Sequence, residues 1–325
     1  MKNEFDTPVL LILFNRLDTT QRVFNQIRKV RPKYLYVSAD APRPNHPDDI
    51  EKCRATRDII KQIDWDCELH TCFRTENLGC GKGVVAAISW FFEQVEQGII
   101  LEDDIFPSED FFYYCDELLH RYKDTYELAL ISGNNYSGKC FGEASYYFSC
   151  YPHTWGWATW RRTWEGFDMF LDDYSLKEFK QVLKWCDFRW NDRQMQLDRF
   201  KIMKKRGTDG WDWQFMFHIW RNRQLSIIPN VALIQNIGFG EDATHFKVKY
   251  ATKSMIQNKL EGGAILPLTH PQMVERHTEA DAQYLPCVQI VLPYFHRLVK
   301  IRKSFLWWGW RWFRRQVLVK PKLQR

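Results

Sequence analysis

The stretch QGIILEDDIFPSEDFFYYC, Gln97 to Cys115, carries an aliphatic run, Ile99 to Leu101, that stops at three consecutive acids, Glu102, Asp103 and Asp104. The run reads as a buried strand, and Ser108-Glu109 ahead of Phe111 and Phe112 reads as a helix start. Three like charges at the end of a buried strand are costly unless a cation answers them. Carboxylates so placed can hold Mg²⁺ or Mn²⁺ with one or two oxygens and leave the remaining positions to phosphate and water. The segment therefore reads as a diphosphate site more readily than as an all-protein cage. A solvated acidic turn capping the following helix is the plainer alternative; it explains the helix but not the triple acid.

Around this segment the first half of the chain alternates short apolar runs with helical patterns, the signature of a mostly parallel sheet covered by helices. Strands are expected near Val9–Phe14, Tyr34–Ala39, Glu68–Phe73, Gly98–Leu101 and Leu128–Ser132, with helices near Thr19–Val30, Pro47–Ile63, Gly83–Glu96 and Ser108–Tyr122. Such units place their ligand crevice beyond the carboxyl ends of the strands, where Asn15-Arg16, Asp40 and Glu102 to Asp104 all fall. After Ser132 the pattern loosens into aromatic loops and helices near Leu176–Trp185, Asp192–Lys205 and Trp211–Trp220, with a short strand at Ser226–Ile228.

Of the 325 residues 45% are apolar, enough for one large or two modest cores. The apolar run Val9 to Phe14 is too short for a spanning helix or a signal sequence, so a cytosolic body is expected. Nine cysteines without a CxxC pair favour packed, reduced thiols over disulfides or zinc. The net charge of +6 is uneven: Arg297 to Arg325 holds ten Lys/Arg and no acid, leaving 36 basic against 40 acidic residues elsewhere. Wound as a helix, this tail gathers Lys300, Lys303, Arg311, Arg314 and Arg315 opposite Leu298, Ile301, Phe305, Trp308, Trp312 and Phe313, with Arg302 and Trp307 as exceptions. A basic, Trp-rich amphipathic helix suits an anionic membrane interface; docking on the protein's own core is the alternative.

Three further segments carry candidate chemistry. FRTENLGCGKGVVAAISWFF has three glycines before a helix, which lets backbone N–H groups approach an anion, with Lys82 among them; a plain loop serves as well. YPHTWGWATWRRTWEGFD offers Trp155, Trp157, Trp160 and Trp164, ring faces on which a sugar can stack, although the last three also fit a helix stripe and core packing. TDGWDWQFMFHIW puts Asp209 and Asp212 just before an apolar helix, where either is an N-cap or a general base.

In their order from Val9 to His245, these motifs resemble the GT-A glycosyltransferases, and in particular bacterial relatives of the N-acetylglucosaminyltransferase that starts complex N-glycans. The resemblance implies a GT-A, Rossmann-like α/β fold with a mostly parallel sheet flanked by helices, followed by a helical membrane-associating tail. It implies an enzyme that moves a sugar from a nucleotide-diphosphate donor, UDP-sugar above all, to a saccharide acceptor with inversion, using Mn²⁺ or Mg²⁺. Arg16 in LFNR and Asp40 in VSADAPR match the residues that hold uracil, and Lys82 joins the donor site. Asp104 of the EDD motif matches the metal ligand, while Glu102 and Asp103 match contacts to ribose and metal-bound water. HTWGWATW corresponds to a glycine-Trp acceptor segment with Trp155 and Trp157, and GFGEDATH places His245 near the diphosphate and metal. The base segment carries one acid, Asp212, where the family has two, so the base is Asp212 or, three residues earlier, Asp209.

The implied division is a catalytic domain over 1–250, an extension packed on it over 251–296 and the basic tail over 297–325. With no N-terminal anchor of the secretory-pathway kind, the tail points to peripheral attachment at the inner face of a bacterial inner membrane. There a lipid-linked saccharide of a lipopolysaccharide or capsule would be the acceptor, and no nucleic-acid partner is expected. Two other classes compete. A metal-dependent phosphohydrolase of the haloacid-dehalogenase kind needs an Asp at the end of the first strand, where this chain has Phe14-Asn15-Arg16. A membrane- or nucleic-acid-binding protein would use the tail but leaves the triple acid unexplained.

Overall fold

The computed structural model describes residues 5–172, 174–188, 190–206, 210–238, 260 and 265–288. Asp209, His245 and the tail 297–325 lie outside the described residues.

The chain builds an eight-stranded, mostly parallel sheet flanked by helices. Its first half runs β1 (Val9–Leu13), α1 (Leu17–Val30), β2 (Tyr34–Ala39), α2 (Asp48–Arg57), β3 (Glu68–Phe73), α3 (Cys80–Phe92) and β4 (Gln97–Glu102). There follow β5 (Ile105–Pro107), α4 (Glu109–Arg121), β6 (Leu128–Ser132), β7 (Tyr146–Ser149), β8 (Trp157–Trp160) and the single turn α5 (Arg161–Trp164). The remaining elements are α6 (Leu176–Trp185), α7 (Trp190–Arg206), α8 (Asp212–Arg221), β9 (Leu225–Pro229), β10 (Ile234–Asn236) and α9 (Thr278–Val288). Strand order is β3-β2-β1-β4-β8-β6-β9-β7, with β8 and β7 antiparallel to the other six strands.

Local chemistry explains the elements that position the site. β1 is apolar throughout because helices cover both sheet faces, and Val9, Leu10 and Leu11 are wholly buried. α1 buries Val23, Phe24, Ile27 and Val30 on one stripe and stops at Arg31, whose backbone turns left-handed at φ 54° while its N–H bonds Ile27 O. Ser108 caps α4 by accepting from the Phe111 N–H, as a Ser before a helix should. The order 3-2-1-4 means that the chain reverses direction across the sheet between β1 and β4, and crevices open at such reversals beyond the strand ends.

The tryptophan segment departs from the helical alternative. Trp157 to Trp160 form β8, wedged between β4 and β6 and buried at every position, and only Arg161 to Trp164 turn helically. A strand covered on both faces loses its alternation, so its period is unreadable. The eight described cysteines are free thiols, with Cys53, Cys115, Cys150 and Cys186 buried, as their packing character suggested.

Residues 265–288 lie along β7. Ser145 N–H bonds Thr269 O, His277 N–H bonds Phe148 O, and the Asp281 carboxylate accepts from Ser149 Oγ at 2.5 Å, Cys150 N–H at 3.3 Å and Arg276 Nε at 2.5 Å. No described helix is long and apolar enough to cross a membrane.

Candidate active site

Arg16 follows β1 and caps α1, while Glu102 ends the neighbouring β4, so the strand reversal sets them side by side. The Arg16 guanidinium forks across the acids: Nη2 donates to Asp103 Oδ1 at 2.8 Å and Nη1 to Asp104 Oδ2 at 2.9 Å. The cation that the triple acid demanded is thus supplied first by the chain itself. Burial works against the charge on Arg16, but Asp103 and Asp104 outweigh it and hold the guanidinium more firmly protonated than a free arginine.

The acids share this one cation unequally. Burial, then the charges of Asp104 and Asp103, push Glu102 well above the usual carboxylate range; burial also raises Asp103, with Arg16 pulling the other way. Asp103 is 4% exposed and its Oδ2 has no hydrogen-bond partner. A buried carboxylate oxygen left without a donor carries a desolvation cost that a cation or a ligand hydroxyl would relieve.

Asp104 is held from the other side by the two-stranded ribbon of β5 and β10. Its carbonyl accepts from Ile237 N–H at 2.8 Å, and Gly238 abuts its carboxylate. The start of the GFGEDATH loop therefore touches the acids, although His245 itself lies outside the described residues.

Asp212 is not a cap. The N-cap position belongs to Trp211, and Asp212 is the first helical residue of α8, with an exposed side chain. Its charge acts on Glu102, and also on Tyr136, Arg199 and Tyr284. Tyr136 stands edge-on to Trp155 at 5.3 Å and beside Tyr284 at 6.2 Å, so the described part of the C-terminal segment contributes a ring to this side. His153 stacks on Tyr284 at 4.8 Å; burial pushes its imidazole down to about 4, and its Nδ1–H donates to Asn134 O.

The remaining expected residues stand apart. Asp40 directly follows β2, one strand from Arg16, but its carboxylate is occupied by backbone N–H groups of Ala41, Leu78 and Gly79 at 2.9–3.1 Å, anchoring the turn that opens α3. Lys82 does not join the acids; its Nζ lies over the Phe170 ring at 5.9 Å on the outer face of α3. Trp157 is 1% exposed and stacks on Trp211 at 5.9 Å within the core, so it has no face for a sugar, and Trp155 is the half-buried ring of the pair. Gly156 between them has φ 61°, and a β-carbon there would meet Ile234 Cγ2 at 2.8 Å, which is why the turn into β8 takes glycine. Asn15 turns away to donate to Asp49, which also receives Arg43 at 2.6 Å and so lies well below the usual carboxylate range.

Sequence reading missed Tyr136, His153, Arg199, Gly238 and Tyr284. His153 opens HTWGWATW and Gly238 opens GFGEDATH, yet neither motif singles them out, and Tyr136, Arg199 and Tyr284 belong to no motif and reach the site only through tertiary packing. Among the described residues no group of three or more His, Cys, Asp or Glu is arranged as a metal cage.

No protein-family model matches the chain, and no curated protein matches it. Among solved structures, apo UDP-glucose pyrophosphorylase shares 8% identity over 71% of this chain and 93% of its own, with a TM-score of 0.37. The 4-diphosphocytidyl-2C-methyl-D-erythritol synthase of Anaerococcus prevotii shares 10% over 60% and 84%, with a TM-score of 0.31. HddC of Yersinia pseudotuberculosis shares 11% over 49% and 79%, with a TM-score of 0.30. At these scores the likeness carries no weight for function.

Proposed function

We propose that this chain is a metal-dependent glycosyltransferase that moves a sugar from a nucleotide-diphosphate donor, UDP-sugar above all, to a saccharide acceptor with inversion. The observation that supports this reading best is the gathering of Arg16, Glu102, Asp103 and Asp104 at the β1/β4 reversal, with the orphaned Asp103 Oδ2 among them. Hard carboxylate oxygens fit Mn²⁺ or Mg²⁺, and a site that uses only one or two of them leaves room for the donor's phosphates. Asp104 and Asp103 would hold the cation, with His245 added from the following loop, and the bound charge would supply Lewis-acid stabilisation of the departing nucleotide.

Within this reading the chain's own groups divide the work. Arg16 holds Asp103 and Asp104 in place through its forked ion pairs and lies where the donor's charge arrives. Glu102 faces the ribose. Asp40 fixes the 78–79 turn that walls the base side. Asp212, exposed at the start of a packed helix and free of capping duty, takes the proton from the acceptor hydroxyl as the carbon–oxygen bond forms on the face opposite the leaving diphosphate. Trp155 and Tyr136 offer ring faces to the acceptor. The basic aromatic sequence of 297–325 supports a lipid-linked acceptor of a bacterial cell-surface glycan, met at the inner face of the inner membrane.

The test is Asp212→Asn assayed with a panel of UDP-, GDP- and dTDP-sugars and Mn²⁺. Loss of the base is expected to lower kcat by about 10²–10⁴ with donor binding unchanged. Turnover within threefold of wild type, or a product that keeps the donor's anomeric configuration, would refute the assignment.

A further inference from the structure

The outer face of α3 forms one wall of a groove of ≈ 630 Å³, and Met169 and Phe170 form the facing wall. This is within the size range of small-molecule sites, which are mostly apolar with a few polar groups that fix orientation. Val85, Trp90, Met169 and Phe170 line it with apolar side chains, and Phe170 is 47% exposed.

The charged residues of the groove are sorted by end. Arg74 directly follows β3 and Lys82 is in the first turn of α3, so both cations stand at the carboxyl edge of the sheet. Glu93 lies just past the last turn of the same helix. Among the described residues neither Arg74 nor Lys82 is paired with a carboxylate, and Lys82 rests over Phe170. From Lys82 to Trp90 the helix rises about 12 Å, room for a medium-length alkyl chain along its face.

We propose that this groove binds a single-chain amphiphile with a phosphate head, the phosphate on Arg74 and Lys82 and the chain along Val85, Trp90, Met169 and Phe170. Two cations match a phosphate dianion, and Glu93 at the other end sets the direction by repelling it. The chain's own tail does not fit as occupant, because ten Lys/Arg and no acid would face the cationic end. The inference is independent of the glycosyltransferase reading.

Calorimetry on the full chain tests it with three probes: dodecyl phosphate below its micellar concentration, dodecyl maltoside with the same chain and a neutral head, and inorganic phosphate. Dodecyl phosphate is expected to bind at one site, at least about tenfold more tightly than either control. Arg74→Gln with Lys82→Gln, both surface changes, should weaken it about tenfold or more, and Ala86→Trp should fill the groove and abolish it. Asp104→Ala should leave it unchanged. Equal binding of dodecyl maltoside, equal binding of inorganic phosphate, wild-type affinity in the charge-neutralised variant, or displacement by UDP would each overturn the proposal.

Discussion

Gly238 lies so close to Asp104 that a β-carbon on it would come within 2.1 Å of Asp104 Oδ2. The contact exists because β10 pairs antiparallel with β5, whose first residue follows the acid directly, and Ile237 N–H then ties down the Asp104 carbonyl. The carboxylate thus has Arg16 on one side and bare backbone on the other. Gly238→Ala must move either the loop or the acid. We expect a modest stability cost of about 1–3 kcal/mol in urea unfolding and a loss of Mn²⁺-dependent UDP binding of about tenfold or more. Unchanged binding would show that Asp104 does not need its present position.

The buried imidazole of His153 gives a pH signature. Its folded pKa of about 4 lies below the unfolded value near 6.5, so on acidification the unfolded chain takes up a proton first. Its contribution to stability is full above pH 6.5 and falls away as pH drops toward 4, by about 2–4 kcal/mol. His153→Gln can keep a donor for Asn134 O without titrating, and chemical denaturation between pH 4 and 7 should show a correspondingly flatter slope. An identical slope in the variant would assign the acid sensitivity elsewhere.

Asp281 fastens α9 to the sheet through Ser149, Cys150 and Arg276. Asp281→Ala leaves those donors and the Arg276 charge unanswered in a buried setting, at a cost of about 2–4 kcal/mol. Hydrogen exchange should accelerate across 276–288 before it does in β1 or β4. Because Tyr284 rides on the same helix, activity should fall along with protection of α9. Uniform acceleration across the sheet would show that α9 is no separate cooperative unit.

How much of this was legible in the sequence follows from how local each signal is. β2, β3, β6 and α6 begin and end where the sequence pattern put them, since each of these signals is written within a few residues. β8 was hidden because burial on both faces erases alternation, and β5 and β10 because three residues carry no period. At the site, the triple acid was readable and its need for a cation followed from charge alone. That Arg16 answers it, 88 positions away from Asp104 in sequence, depends on β1 and β4 being neighbours, which no local pattern encodes. Trp155 and Trp157 looked alike as motif residues, and only the turn at Gly156, which leaves Trp155 outside β8 and starts the strand at Trp157, separated the half-buried ring from the buried one.

The most direct test of the central claim is UDP titration by calorimetry into wild type and Asp104→Ala, each with Mn²⁺ and with EDTA. Wild type should bind UDP with Mn²⁺ and lose at least about tenfold in affinity with EDTA, while Asp104→Ala should fail in both conditions yet retain its fold by circular dichroism. Equal UDP affinity in all four titrations, or no UDP binding by folded wild type with Mn²⁺, would contradict the account.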